Sequence, residues 1–118
     1  MAGKKVEWTA NALAMVTDIY DYLEDQAGDD IASDYIDTLL EYGNSLDEKS
    51  EHFSFCRHPK LQEKGYRCAQ FRKTYVVIYK EDALKVSILA VIHVKRSPEI
   101  FEDIWMNHPL AYAFPLYD

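Results

Sequence analysis

The chain has 118 residues and a formal net charge of −7, a length that suits a single domain, 1–118, able to bury roughly two-thirds of its unfolded surface. No apolar run approaches the ~18 residues of a membrane span, and Met1-Ala2-Gly3-Lys4-Lys5-Val6-Glu7 lacks a signal-peptide core, so a soluble, cytoplasmic protein with no membrane partner is expected. Cys56 and Cys68 are too few for a disulfide framework and are expected as reduced thiols.

The charge is segregated along the chain. Residues 1–56 hold 3 Lys/Arg against 13 Asp/Glu, residues 57–96 hold 10 against 3, and residues 97–118 hold none against 4. A negative total argues against nucleic acid as a partner, yet the basic segment points to a negative surface opposite it. Mutual neutralisation of the two halves across the fold is the plainer use of the same pattern.

In chain order, Lys5-Val6-Glu7-Trp8 alternates and predicts a short strand. Thr9 follows as a helix N-cap, and Ala12, Val16, Ile19 and Leu23, widened by Leu13 and Tyr20, form the apolar stripe of an amphipathic helix that Gly28 ends. Asp29 or Asp30 is expected to cap a second helix with the stripe Ile31, Tyr35, Leu39, Tyr42 and Leu46. So short a connection makes the two helices an antiparallel hairpin. Residues 49–65 read as a loop with a short strand at Phe53-Ser54-Phe55.

Tyr66-Arg67-Cys68-Ala69-Gln70-Phe71 predicts a strand that leads into the most strand-like part of the chain. Thr74–Lys80 and Leu84–Val94 are rich in β-branched and aromatic residues, and the polar link Glu81-Asp82-Ala83 makes them a hairpin. In the second run the even positions Leu84, Val86, Ile88, Ala90, Ile92 and Val94 are assigned to the core face. Leu89 and Val91 are apolar too, so the middle of this strand is expected to be covered on both sides. Ser97-Pro98-Glu99 predicts a last short helix to about Asn107.

His52, Cys56 and His58 lie close together but lack the paired spacing of a structural zinc site, so no metal and no cofactor is expected. The tyrosines fall largely on helix stripes and suit packing better than base stacking.

The order of elements, α+β with an N-terminal strand, an antiparallel helix hairpin, a three-stranded antiparallel meander and a short C-terminal helix, resembles the RelE/ParE superfamily of bacterial toxins. The resemblance runs from residue 5 to about 105. It rests on His58-Pro59-Lys60-Leu61, Tyr66-Arg67, Tyr75-Val76-Val77-Ile78-Tyr79, and the apolar strand Ile88–Val94 closed by His93, Lys95 and Arg96. It implies the toxin of a type II toxin–antitoxin (plasmid stabilisation) pair, neutralised by a cognate antitoxin. Two branches diverge in activity. RelE-like members resemble ribosome-dependent messenger RNA endonucleases, whereas ParE-like members resemble poisons of DNA gyrase. RelE-like chains place an arginine after the tyrosine that opens the middle strand; here that position is Val76, which favours the ParE-like reading. The acidic total also suits docking into ribosomal RNA poorly.

For a gyrase poison, the resemblance implies target contacts at Arg67, Tyr79, His93, Lys95 and Arg96. For a ribonuclease acting on ribosome-bound messenger, His93 with Arg96, Lys95, Arg72 and Lys73 would supply the proton-transfer group and the cations around the phosphate. A structural role for His93, closing its strand, is the alternative. A family member that has lost toxicity and persists as a binding module is a third reading. Tyr20 and Leu23 on the first helix and Tyr35 and Leu39 on the second are expected nearest an antitoxin groove.

Overall fold

The computed structural model describes residues 3–95. The elements are β1 (Lys5–Trp8), α1 (Ala10–Ala27), α2 (Asp29–Asn44), α3 (Leu46–Lys49), α4 (Pro59–Glu63), β2 (Arg67–Phe71), β3 (Tyr75–Glu81) and β4 (Lys85–His93). The expected C-terminal helix, with Arg96, lies outside the described residues. The strands form one sheet in the order β1-β4-β3-β2, with β1 parallel to β4 and the β2-β3-β4 meander antiparallel.

Local chemistry sets the helix boundaries. The Thr9 Oγ1 accepts from the Ala12 N–H at 3.1 Å, capping α1 as expected. Gly28 both ends α1 and begins α2. Its N–H donates to Glu24 O at 2.9 Å, and its carbonyl accepts from Ala32 N at 3.1 Å. A φ of 94° at this junction suits glycine, and a Cβ there would meet no atom within 4 Å, so the backbone angle rather than space explains the residue. With Gly28 in the cap position, neither Asp29 nor Asp30 caps α2. Asp29 instead accepts hydrogen bonds from Tyr20 Oη and from Ser33 Oγ. The buried stripe of α2 is Ala32, Ile36, Leu39 and Gly43, one residue on from much of the expected one, which leaves Ile31 57% exposed. Leu13 of α1 is likewise on the solvent side.

The core lies in two parts. One, between the helix hairpin and the sheet, holds Ala12, Val16, Ile19, Leu39, Leu46, Val77, Tyr79, Val86, Ile88 and Val91 among others. The second holds Met15, Cys56, Leu61, Ile78, Ala90 and Ile92. A β-bulge separates them along β4. Ile78 pairs with Ala90 but Tyr79 pairs with Ile88, so Leu89 is the extra residue and the alternation reverses there. The even positions of β4 therefore do not share one face. Val86 and Ile88 join the helix-side core, Ala90 and Ile92 the other. Leu84, also assigned to the core face, lies in the turn and is 80% exposed. The bulged residue is held in place by its carbonyl, which accepts from Asn11 Nδ2 at 2.9 Å and from Thr9 Oγ1 at 3.3 Å. The start of α1 thus anchors where the β1 pairing stops.

Two expectations for residues 49–65 are corrected. A short helix, α4, forms because Pro59 opens it, the His58 Nδ1 accepts from Lys60 N at 3.2 Å, and Leu61 is buried in the second core. The proposed strand at Phe53–Phe55 reduces to a single bridge between Phe55 and Arg67. That bridge brings Cys56 beside Cys68 with their Cα atoms 4.9 Å apart, and the two are joined as a disulfide rather than standing as reduced thiols.

Candidate partner-binding surface

The β2–β3 turn and the end of β4 meet at one end of the sheet. Arg72 (φ 53°) and Lys73 (φ 62°) are both left-handed, and Thr74 N donates to Phe71 O at 3.0 Å, the pattern of a type I′ turn, whose twist matches that of the flanking strands. Tyr75 pairs with His93, and Val94 N donates to Thr74 O at 2.8 Å. Arg72, Lys73, His93 and Lys95 are thereby gathered from two stretches about twenty residues apart. The His93 ring stands edge-on to Tyr75, centroids 5.4 Å apart, and its Nδ1 accepts from Lys95 N at 3.1 Å. Burial pushes the Tyr75 phenol up to about 12, with Tyr35 and Tyr22 adding to the effect, so it stays neutral.

Beside this end, the Arg72 guanidinium lies 5.2 Å from the Tyr35 ring and 5.1 Å from that of Phe71. A recess of about 160 Å³ opens there, lined by Ile31, Asp34, Tyr35, Thr38 and Arg72. Burial raises the Tyr35 pKa against the opposing influence of Thr74 and Arg72. Of the four residues expected near an antitoxin groove, Tyr20, Leu23 and Tyr35 are half-buried against the helix-side core, and Leu39 is fully buried within it. Ile31 and Tyr22 are the large apolar side chains the hairpin exposes nearby.

Arg67 and Tyr79 are turned inward. The Tyr79 side chain is fully buried, its hydroxyl donates to Ser50 O at 2.6 Å, and burial raises its pKa. Arg67 stacks 4.2 Å over the Phe55 ring, donates through Nη1 to Phe53 O, and sets Nε 3.1 Å from Glu81 Oε2 as an ion pair. Glu81 Oε1 accepts in turn from Lys4 Nζ at 2.6 Å and from Ser50 Oγ. Burial alone would raise the Glu81 pKa, but the hydrogen bonds from Lys4 and Ser50 and the charges of Lys4 and Arg67 outweigh it and hold the carboxyl below its ordinary range.

A larger cleft, about 630 Å³, lies between the 52–58 loop and β2. Phe53, Phe55, Leu61 and Val76 supply apolar lining, Arg57 a cation, and the Cys56–Cys68 bond part of the wall. Sequence reasoning missed it because the loop has no periodicity; the closeness of Phe53, Phe55 and Arg57 to two cysteines was the available signal. Among the described residues no group of His, Cys, Asp and Glu is arranged to hold a metal ion, and no helix is long and apolar enough to cross a membrane.

The profile described as the ParE toxin of a type II toxin–antitoxin system, parDE, matches residues 6–98, most of the chain. The chain belongs to the ParE toxin family. A solved structure titled as the chromosomal ParDE toxin–antitoxin system from P. aeruginosa superimposes with a TM-score of 0.66 at 18% identity, covering 76% of this chain and 95% of that one. At that identity the likeness speaks to the fold alone. No curated protein sequence matches the chain. In this ParE-family chain His93 and Lys95, at and just after the end of β4, adjoin the Arg72-Lys73 turn.

Proposed function

We propose that this ParE-family toxin arrests growth by binding DNA gyrase and stabilising its cleaved DNA complex, and that a cognate antitoxin holds it inactive in the cytoplasm. The observation that carries the reading is the family match across residues 6–98. The residue after Tyr75 supports it: Val76 lines the cleft, where a RelE-like chain would carry a phosphate-stabilising arginine. The exposed cations Arg72, Lys73 and Lys95 form a surface suited to an acidic partner. On this reading His93 and Lys95, with Arg96 beyond them, contact the target directly. Arg67 and Tyr79 act from inside, by fixing the shape of β2 and β3. Tyr20, Leu23, Tyr35 and the neighbouring Ile31 offer an apolar strip to an antitoxin helix, with Leu39 supporting it from below.

The test is to induce the full chain without a partner and follow growth, then add purified protein separately to gyrase with supercoiled DNA and to translating ribosomes. Growth arrest together with trapped, cleaved DNA is the expected result. Codon-specific cuts in messenger RNA, lowered roughly 10²-fold or more by His93→Ala, would replace the poison with a nuclease. Unimpaired growth at high expression would leave a binding module without toxicity.

A further inference from the structure

We propose that Cys56 and Cys68 form a reversible thiol–disulfide exchange site in the wall of the 630 Å³ cleft, whose redox state sets how firmly the excursion carrying α4 is held. This goes beyond the toxin reading and does not depend on it. Three features carry it.

The first is that the backbone juxtaposes the cysteines by contacts other than the sulfur bond. Phe55 bridges to Arg67, Cys56 N donates to Tyr66 O at 2.9 Å, and Cys68 N donates to Ser54 O at 3.2 Å. Two thiols left in this frame stay close enough to re-pair, as a reversible site requires. The second is access. Cys56 is 2% exposed, whereas Cys68 is partly exposed, and both line the open cleft together with Arg57. An attacking thiolate therefore reaches Cys68 first, and the Arg57 charge favours anionic sulfur nearby. The third is what the bond closes. Between the cysteines lies α4, five residues long and too short to persist alone, whose buried residue is Leu61. With the bond in place, an opened excursion remains a closed ring with few conformations; without it, opening gains chain entropy.

The chemistry balances with a low-molecular-weight thiol as reductant. Its thiolate attacks Cys68 Sγ, the sulfur–sulfur bond breaks, and Cys56 leaves as a thiolate that takes up a proton. A second thiol then attacks the mixed disulfide, releasing the Cys68 thiol and the small-molecule disulfide. The two electrons come from the two external thiols, and the reverse sequence, with a small disulfide as oxidant, restores the bond.

The experiment uses the full chain after equilibration with excess dithiothreitol or with oxidised glutathione, followed by alkylation and mass measurement and by amide hydrogen exchange. After oxidation no thiol should alkylate; after reduction two should. Reduction should also speed exchange at Gln62, Lys64 and Gly65, whose amides donate within the excursion, by on the order of 10²-fold, the effect implied by closing a loop of about this length. Amides of β3 and β4 should stay protected. Cys68→Ser should exchange like the reduced wild type and ignore dithiothreitol; the wild-type comparison stands alone if that variant does not fold. Two alkylatable thiols after oxidation would overturn the proposal, as would unchanged exchange in the excursion, or loss of protection throughout the sheet on reduction.

Discussion

Replacing Glu81 by Gln tests whether one carboxylate joins four parts of the fold. Its Oε1 accepts from Lys4 Nζ, ahead of β1, and from Ser50 Oγ, after α3; its Oε2 faces Arg67 Nε on β2 from the end of β3. The Glu81 side chain is 12% exposed and that of Arg67 19%, so water offers little replacement for the lost charge. Gln keeps the shape, but one of its two acceptors becomes a donor facing a cation. Turning charge-assisted contacts into neutral or mismatched ones lowers stability by about 2 kcal/mol, below the 3–5 kcal/mol typical when a fully buried pair is broken. The pH dependence gives a second reading. The folded-state pKa of Glu81 lies below the ordinary 4.5. The stability it contributes is therefore fully present above that ordinary value, and is lost as pH falls through the folded pKa. Urea denaturation of wild type and variant should differ by about 2 kcal/mol near pH 7 and converge as pH falls below the ordinary carboxylate value and through the folded pKa. Equal stability at neutral pH, or a difference that persists unchanged in acid, would refute the reasoning.

Three further outcomes follow from the packing. A Cβ on Gly43 would lie 2.4 Å from Trp8 Cζ2 and 2.6 Å from Cη2, forcing the indole off its hydrogen bond from Nε1 to Asn44 Oδ1. Gly43→Ala should therefore lower stability by about 1–2 kcal/mol despite a gain of about 1 kcal/mol in helix propensity, with a changed near-ultraviolet tryptophan signal in circular dichroism. Lys73→Gly removes a left-handed penalty and should raise the urea midpoint by the equivalent of about 1 kcal/mol; a lower midpoint would mean the lysine side chain stabilises the turn. Tyr79→Phe leaves Ser50 O without its buried donor and should cost about 1–2 kcal/mol in thermal or chemical denaturation.

The sequence shows the order of elements because each long element carries one clear period. Ala12, Val16 and Ile19 recur at helical spacing, Thr9 and Gly28 mark the ends of α1, and β3 and β4 are dense in β-branched residues. What it hides depends on contacts between distant residues. The parallel pairing of β1 with β4 joins residues about eighty positions apart. The bulge at Leu89 is invisible because Ile88-Leu89-Ala90-Val91-Ile92 is apolar throughout, so a reversal of faces leaves the pattern unchanged. In the stripe Leu39 and Leu46 are buried and Tyr35 and Tyr42 pack against the core as expected, but Ala32 and Gly43, the latter close against Trp8, carry no strong hydrophobic signal and are not legible as core positions. The disulfide depends on a return of the chain that begins at Arg57 and includes α4, and cysteine count alone does not reveal it. The basic end of the sheet was legible, since a hairpin register places Arg72 and Lys73 near His93 and Lys95; the inward turn of Arg67 was not, because its partners Phe53, Phe55 and Glu81 come from separate stretches.

The same contacts explain how a protein of negative total charge presents a positive surface. The 57–96 segment contains three acids, Glu63, Glu81 and Asp82. Glu81 is turned inward onto Lys4 and Arg67, and the Asp82 carboxylate accepts the amides of Leu84 and Lys85 to shape the β3–β4 turn, which holds its pKa low. Two of the three carboxylates therefore serve the fold, whereas Arg57, Arg72, Lys73, Lys80 and Lys95 of the same segment are exposed. The ion pairs to Glu81 are not neutralisation of the basic segment by the acidic one, since the carboxylate belongs to the basic segment and Lys4 to the acidic one. On this segment the exposed cations, which include Arg57, Arg72, Lys73, Lys80 and Lys95, thus outnumber the exposed acids Glu63 and Asp82. An acidic partner gains from that field at distances of about a Debye length, roughly 8 Å at physiological salt, before any apolar contact forms.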